Sequence, residues 1–314
     1  MSVIVPLHVE AALAQSGERY GGQAFTFSPD GVTVAGHNDG RRAVVMQWLT
    51  QCELLVTNVE LCALSKLTRP EVMRYCLELP VLLPAFAGLG FTGDEEEGKL
   101  FLTASLPRNA INADSVLLLA QRMAQAAGSL PGELWRDGEL SEESIDNLLA
   151  IGAEQSAVAY RGDNSPVDWD ERALSLLRAV MAGAGNDMPD MPALDDIELE
   201  AGGDGDALVI SFLLDSGIGL LTASVDVQDA PAADDTAAWH RLLSMPNRDA
   251  LIAHLSISVD PFLERVVVSA PCYLVNLDTE TLAMQLNRLS HAAQNFSSLA
   301  SPEPMPAFPL HQSV

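Results

Sequence analysis

The stretch Gly88-Leu89-Gly90-Phe91-Thr92-Gly93 spells GxGxxG, the letters of a loop that cradles a dinucleotide pyrophosphate. Such a loop must follow a strand and open a helix. Here the residues themselves alternate as a strand does. Asp94-Glu95-Glu96-Glu97 then turns the chain into another strand, and those acids would repel a pyrophosphate. No nucleotide site is expected. The six histidines, His8, His37, His240, His254, His291 and His311, show no HxxxH or HExxH spacing, so no zinc site is expected either. The acid runs Glu95 to Glu97 and Asp187 to Asp196 lack the alternating acid and glycine pattern of a calcium loop and read as solvated turns. No GxSxG elbow is present. Cys52, Cys62, Cys76 and Cys272 form no CxxC pair and read as buried free thiols. The Asn295-Phe296-Ser297 and Arg161-Gly162-Asp163 triplets read as chance matches. These residues name no catalytic group, no cofactor and no metal.

Charge and the tryptophans point instead to a partner. The net charge of −26 is uneven: residues 1–130 carry 13 acids and 9 bases, residues 131–196 carry 15 and 4, and residues 197–314 again carry 15 and 4. An acidic surface repels phosphate backbones and anionic membranes, and it suits basic or apolar protein partners. Asp187, Asp190, Asp195 and Asp196 are candidates to meet a basic partner. Trp48 and Trp239 fall in predicted elements and are expected in the core. Trp135 and Trp169 lie in or beside the linker, where they either pin its helix to a domain or mark an exposed binding surface. There is no apolar run long enough to span a bilayer. The N-terminus lacks the basic flank of a signal peptide, and Glu10 interrupts its apolar part. A cytoplasmic protein is therefore expected.

The elements that position these residues are written twice. At an offset of 166, Leu54-Leu55 falls on Leu220-Leu221, Val59 on Val225, Leu77 on Leu243 and Pro80 on Pro246. Ala87 and Leu89 fall on Ala253 and Leu255, Asp94 on Asp260, Ala104 on Ala270, Arg122 on Arg288, and Ala126-Ala127 on Ala292-Ala293. An offset of this size is a domain duplication rather than a solenoid repeat, whose period would be ~20–50 residues.

Each copy opens with a helix, about 5–16 and 168–182. Three strands follow, near 23–27, 31–36 and 43–62 in the first copy and near 196–201, 206–214 and 217–227 in the second. Residues 43–62 are long enough for more than one strand. Phe25-Thr26-Phe27 and Val32-Thr33-Val34, around Ser28-Pro29-Asp30-Gly31, read as a hairpin. A second helix, 69–79 or 235–245, is expected to end before Pro80 or Pro246. A hairpin follows, its first strand half-buried because Leu255, Ile257 and Val259 alternate with serines. A third helix is capped by Asn112 or Asp278. The fold class is thus α+β: two homologous α-β-β-β-α-β-β-α domains, each an antiparallel sheet packed against helices. The expected boundaries are 1–130 and 168–296 for the domains, 131–167 for an acidic linker with a helix from Ser141 to Ala153, and 297–314 for a Pro-rich tail.

This order resembles the small acidic chaperones of type III secretion, the Tir-chaperone family. GKLFLTASLPRNAINADSVLLLAQRMAQAA and RVVVSAPCYLVNLDTETLAMQLNRLSHAAQNF each run strand, loop and capped helix with an alanine pair near the end, which looks like the last strand and helix of such chaperones. The resemblance implies a homodimer that holds an effector segment in extended form; here one chain would supply both halves, and a further homodimer stays possible. The expected function is a non-enzymatic chaperone or adaptor that binds a basic or extended segment of another protein. Two alternatives stand: an acidic immunity or inhibitor protein that blocks a basic toxin, and an enzyme or regulator with a small-molecule pocket between the copies.

Overall fold

The computed structural model describes residues 3–21, 25–29, 31–35, 43–50, 53–66, 70–82, 86, 88–130, 168–183, 198–201, 208–216, 219–248, 255–275 and 277–296. The expected linker helix at 141–153 and the Pro-rich tail lie outside these residues. The first unit runs α1 (Leu7–Gly21), β1 (Val32–Ala35), β2 (Val44–Leu49), β3 (Leu54–Ala63), α2 (Pro70–Leu82), β4 (Gly90–Asp94), β5 (Lys99–Pro107) and α3 (Ala113–Ser129). The second runs α4 (Trp169–Gly183), β6 (Glu198–Ala201), β7 (Leu208–Asp215), β8 (Leu220–Asp229), α5 (Thr236–Arg248), β9 (Ser256–Asp260), β10 (Arg265–Tyr273) and α6 (Thr279–Gln294). Each unit is thus the α+β order expected from the sequence. Each sheet has five antiparallel strands, in the orders β1-β2-β3-β5-β4 and β6-β7-β8-β10-β9.

The duplication holds at the level of single residues. β3, α2, β4 and β5 carry to β8, α5, β9 and β10 at the offset of 166 without a gap, and so does β1 to β6. Both long strand pairs are irregular at one place: Leu61 in β3 and Val227 in β8 are left over where the ladder shifts, and they too are 166 apart. A bulge bends a strand and increases its twist, so both sheets curve at equivalent points.

The caps form as expected. Asn112 Oδ1 accepts from the N–H groups of Asp114 and Ser115, both at 3.0 Å, while Ser115 Oγ accepts from Asn112 N–H at 3.0 Å. Asp278 Oδ1 accepts from Thr281 N–H at 2.7 Å. These bonds hold the Asp278 carboxyl below the usual carboxylate range. The apolar faces of α3 and α6, with Val116, Leu119 and Met123 on one and Leu282, Leu286 and Leu289 on the other, are buried.

Three expectations fail for identifiable reasons. Phe25 to Ser28 is not a strand, so the first hairpin does not exist and β1 pairs with β2 instead. The backbone there is already committed: Ser28 N–H donates to Val32 O at 2.8 Å, Gly31 N–H to Ser28 O at 2.9 Å, and Val3 N–H to Pro29 O at 3.0 Å. The second helices run two residues beyond Pro80 and Pro246. Proline in a last turn removes one helical hydrogen bond rather than a run of them. Finally, β9 is not half-buried. Ser256 and Ser258 are buried with Ile257 and Val259, and β4 is equally enclosed from Gly90 to Gly93. The cause is the other unit, which covers the second face of each strand.

Candidate functional site

α2 of the first unit lies across β9 of the second, α5 of the second lies across β4 of the first, and α2 and α5 pack on each other. One apolar core runs through both units. The seam explains the glycines of the GxGxxG letters. A Cβ on Gly93 would come within 3.1 Å of Leu64 Cδ1 and 3.5 Å of Ser244 Oγ on α5. A Cβ on Gly90 would lie 3.5 Å from Ser256 Oγ, on the strand that crosses it. Gly88 has φ +70, and a Cβ there would meet Pro271 at 2.8 Å. Gly90 thus lets the Ser256 backbone approach, and Gly93 leaves room for the Leu64 and Ser244 side chains.

Polar contacts register the seam. Ser256 Oγ donates to Leu89 O at 2.8 Å, and Arg122 Nη1 donates to Tyr273 Oη at 3.1 Å, both across the units and both buried. The Arg74 guanidinium stands 6.0 Å over the Trp239 ring while its Nε donates to Glu78 at 2.6 Å. His240 Nδ1 lies 3.6 Å from Glu95 Oε1, at the exposed rim. Beside Glu78 in α2, burial pushes the Tyr75 hydroxyl up to about 12, with Cys76 and Glu78 adding to the shift. Burial also pushes the Cys76 thiol up, and the Cys272 thiol up to about 12. Cys62, Cys76 and Cys272 are buried free thiols, as expected, and Cys52 lies outside the described residues. Burial in apolar surroundings disfavours the thiolate of Cys76 and Cys272, as it does for cysteines that serve packing.

The seam also decides which sheet edges stay open. Each five-stranded sheet has two edges, and the β4 and β9 edges face the other unit. Among the described residues, β1 has only β2 as a partner and β6 has only β7. Next to β6, the outward positions of β7 include Val209 and Leu213, which are 40% and 62% exposed. β6 places Glu198 opposite Ser211 and Glu200 opposite Val209.

Of the candidates named from sequence, Trp48 and Trp239 are core residues. Trp169 opens α4, where Asp168 caps by accepting Glu171 N–H at 3.0 Å. Its half-buried ring lies against Gly219, where a Cβ would come within 2.8 Å, so it fastens α4 to the start of β8. Trp135, Asp187, Asp190, Asp195 and Asp196 lie outside the described residues. The Glu95 to Glu97 turn is held by Asp94 Oδ1, which accepts from Glu96 and Glu97 N–H at 2.9 Å each. Lys99 reaches Glu60 and Glu97 at 3.0 and 3.5 Å. Among the described residues no three His, Cys, Asp or Glu side chains converge as metal ligands would, and no helix is long and apolar enough to cross a membrane. The residues that form the seam were not anticipated from the sequence. Their signal was a pair of serines alternating with apolar residues in a strand that has no solvent face, at the offset position of the first unit's glycines.

No family model matches the chain, and no curated protein does. Some solved structures share parts of the fold. A chain of the HopA1-SchA chaperone-effector complex aligns with 18% identity and a TM-score of 0.30, over 37% of this chain and 91% of its own. A chain of the ExsC-ExsE complex aligns with 16% identity and a TM-score of 0.33, over 42% and 96%. A chain of the ExoU-SpcU complex from the type III secretion system of Pseudomonas aeruginosa aligns with 20% identity and a TM-score of 0.30, over 40% and 98%.

Proposed function

We propose that this protein is a non-enzymatic chaperone or adaptor that holds an extended segment of a partner protein along the open edge of β6, with β1 as the equivalent edge of the first unit. The observation that carries this is the closure of β4 and β9 by the seam, which leaves, among the described residues, β6 and the part of β1 beyond Val32 without a second strand partner. An added strand would pair with that edge, and its alternate side chains would extend the sheet face on which Val209 and Leu213 stand one strand further in. Main-chain pairing tolerates varied partner sequences. The 30 acids against 8 bases from residue 131 onward favour a basic segment and speed its encounter.

The test is co-purification from the native host, mass spectrometry of the captured protein, and affinity measurements on it. Val209→Lys with Leu213→Lys puts two cations on the face that a basic segment would extend and should weaken binding about tenfold. Reversal of Asp187, Asp190, Asp195 and Asp196 to lysine should mainly slow association. Unchanged affinity in the β7 variant, together with a steep loss of affinity in salt, would leave the other reading, an acidic inhibitor of a basic protein, for which the same charge count speaks.

A further inference from the structure

At two equivalent places the second unit leaves apolar side chains more open to solvent than the first does. The turn between β4 and β5 carries Glu96 and Glu97; at the offset of 166 the turn between β9 and β10 carries Phe262 and Leu263. The turns share one frame. Asp260 Oδ1 accepts from Phe262 and Leu263 N–H at 2.7 and 3.0 Å, as Asp94 does from Glu96 and Glu97. The frame therefore does not call for apolar side chains. Yet Phe262 is 82% exposed and Leu263 63%. Two adjoining large apolar groups at a turn tip mark a contact site far more often than isolated ones do. Carboxylates surround their base: Asp226, Asp229, Asp260 and Glu264, with Arg265 held by Asp229 at 2.6 Å. Burial raises the Asp226 carboxyl above its usual range, Arg265 partly offsets that, and Asp260 adds to it, so these charges do crowd one another.

The second difference is on the last helix. On α3 the positions Leu117, Leu118 and Arg122 are buried. Their counterparts on α6, the half-buried Ala283, Met284 and Arg288, line a depression of about 600 Å³ with Glu280, Asn287 and His291 among the described residues. Its floor is apolar at Ala283 and Met284. Arg288 and His291 stand towards one end, and Glu280 towards the other.

We propose that this depression receives the Phe262 and Leu263 tip of a second copy of this chain. Apolar tip meets apolar floor, and the carboxylates around the tip meet Arg288 and His291. A lipid surface fits less well, since the same carboxylates repel anionic headgroups. The seam between the units is internal and already satisfied, so this contact is a separate one and does not rest on partner binding at β6. The described residues of each molecule hold one such tip and one such depression, so the contact is either reciprocated across a two-fold axis or repeated head to tail.

Sedimentation velocity on the full chain, from about 1 µM to about 100 µM, should show a mass rising above that of one chain. Phe262→Glu with Leu263→Glu installs the residues that the first unit has in the same turn. It should leave a one-chain species throughout, with an unchanged melting temperature. Arg288→Glu should weaken association about tenfold or more, and adding Glu264→Arg should recover it. A one-chain mass at every concentration, association that survives the tip substitutions, or indifference to Arg288→Glu would each overturn the proposal.

Discussion

Two pairs of equivalent backbone positions lie in the left-handed region among the described residues, and in each pair one unit has glycine and the other glutamate. Before β3 the position is Glu53 with φ 51, and its counterpart before β8 is Gly219 with φ 62. In the last hairpins it is Gly98 with φ 65 and its counterpart Glu264 with φ 52. Gly219 is doubly constrained, because the Trp169 ring occupies the space a Cβ would need. Glu53 has compensation: its carboxylate accepts from Arg108 Nη1 at 2.5 Å and its carbonyl from Arg108 N–H at 2.9 Å. Glu264 gains less. Its carbonyl accepts from Ala230 N–H at 2.8 Å, a bond that glycine would keep. A non-glycine residue in this region costs roughly 1–2 kcal/mol, and glycine returns part of that through greater freedom in the unfolded chain. Glu264→Gly should therefore stabilise by about 0.5–1 kcal/mol, and Gly98→Ala, which meets no atom within 4 Å, should cost about 1 kcal/mol through φ alone. Denaturant unfolding decides it: a neutral or destabilising Glu264→Gly would mean the turn is not strained.

At the scale of elements, the cap of α6 can be read through pH. Thr281 N–H bonds to the Asp278 carboxylate, which keeps its folded pKa below the unfolded value. Such a group contributes stability above the unfolded pKa, about 3.9, and that contribution is lost as pH falls through the folded one. Asp278→Ala should cost about 1 kcal/mol at neutral pH, and the difference from the parent should shrink in acid. Asp278→Asn should keep a cap whose strength does not change over that range. A cost for Asp278→Ala that stays constant down to strong acid would show that the charge has no part in the cap. This cap was legible because local rules suffice: a polar residue before an apolar period of 3.6 accepts from the first turn whatever lies beyond. The same holds for β3, β5, α2 and their counterparts, whose periodicity and shared offset reinforced each other. The hairpin at Phe25 was misread because the ladder stops at Ser28, where local bonds to Gly31 and Val32 close the turn and Val3, far away in sequence, takes Pro29 O. The enclosure of β9 was misread because alternation of Ser256 and Ser258 with apolar residues looks alike whether the far side is water or another unit. The open edges that carry the proposed function were not legible at all, since they follow only once the seam has claimed β4 and β9.

For the whole molecule, the question is whether two units folded from a duplicated sequence behave as two domains or one. Beads-on-a-string domains bury little between them and unfold separately. Here a single apolar cluster includes Met73, Cys76 and Leu77 of α2, Trp239, Leu242 and Leu243 of α5, Phe91 of β4 and Ile257 of β9. Trp239 is 0% exposed, its Nε1 donates to Ala232 O at 2.9 Å, and its ring carries Arg74 of the other unit. Removing a side chain of that size from a packed interior typically costs about 3–5 kcal/mol. If the seam is part of one cooperative core, that loss is felt on both sides of it. Trp239→Ala, made in the second unit, should then lower the hydrogen-exchange protection of β3 in the first unit by as much as that of β8 in the second, and thermal unfolding should remain a single transition. If the β8 amides lose protection while the β3 amides keep theirs, the units open independently. Closure of β4 and β9 would then be a transient state of the molecule rather than a fixed one, and the inner edges would compete with β1 and β6 for a partner strand.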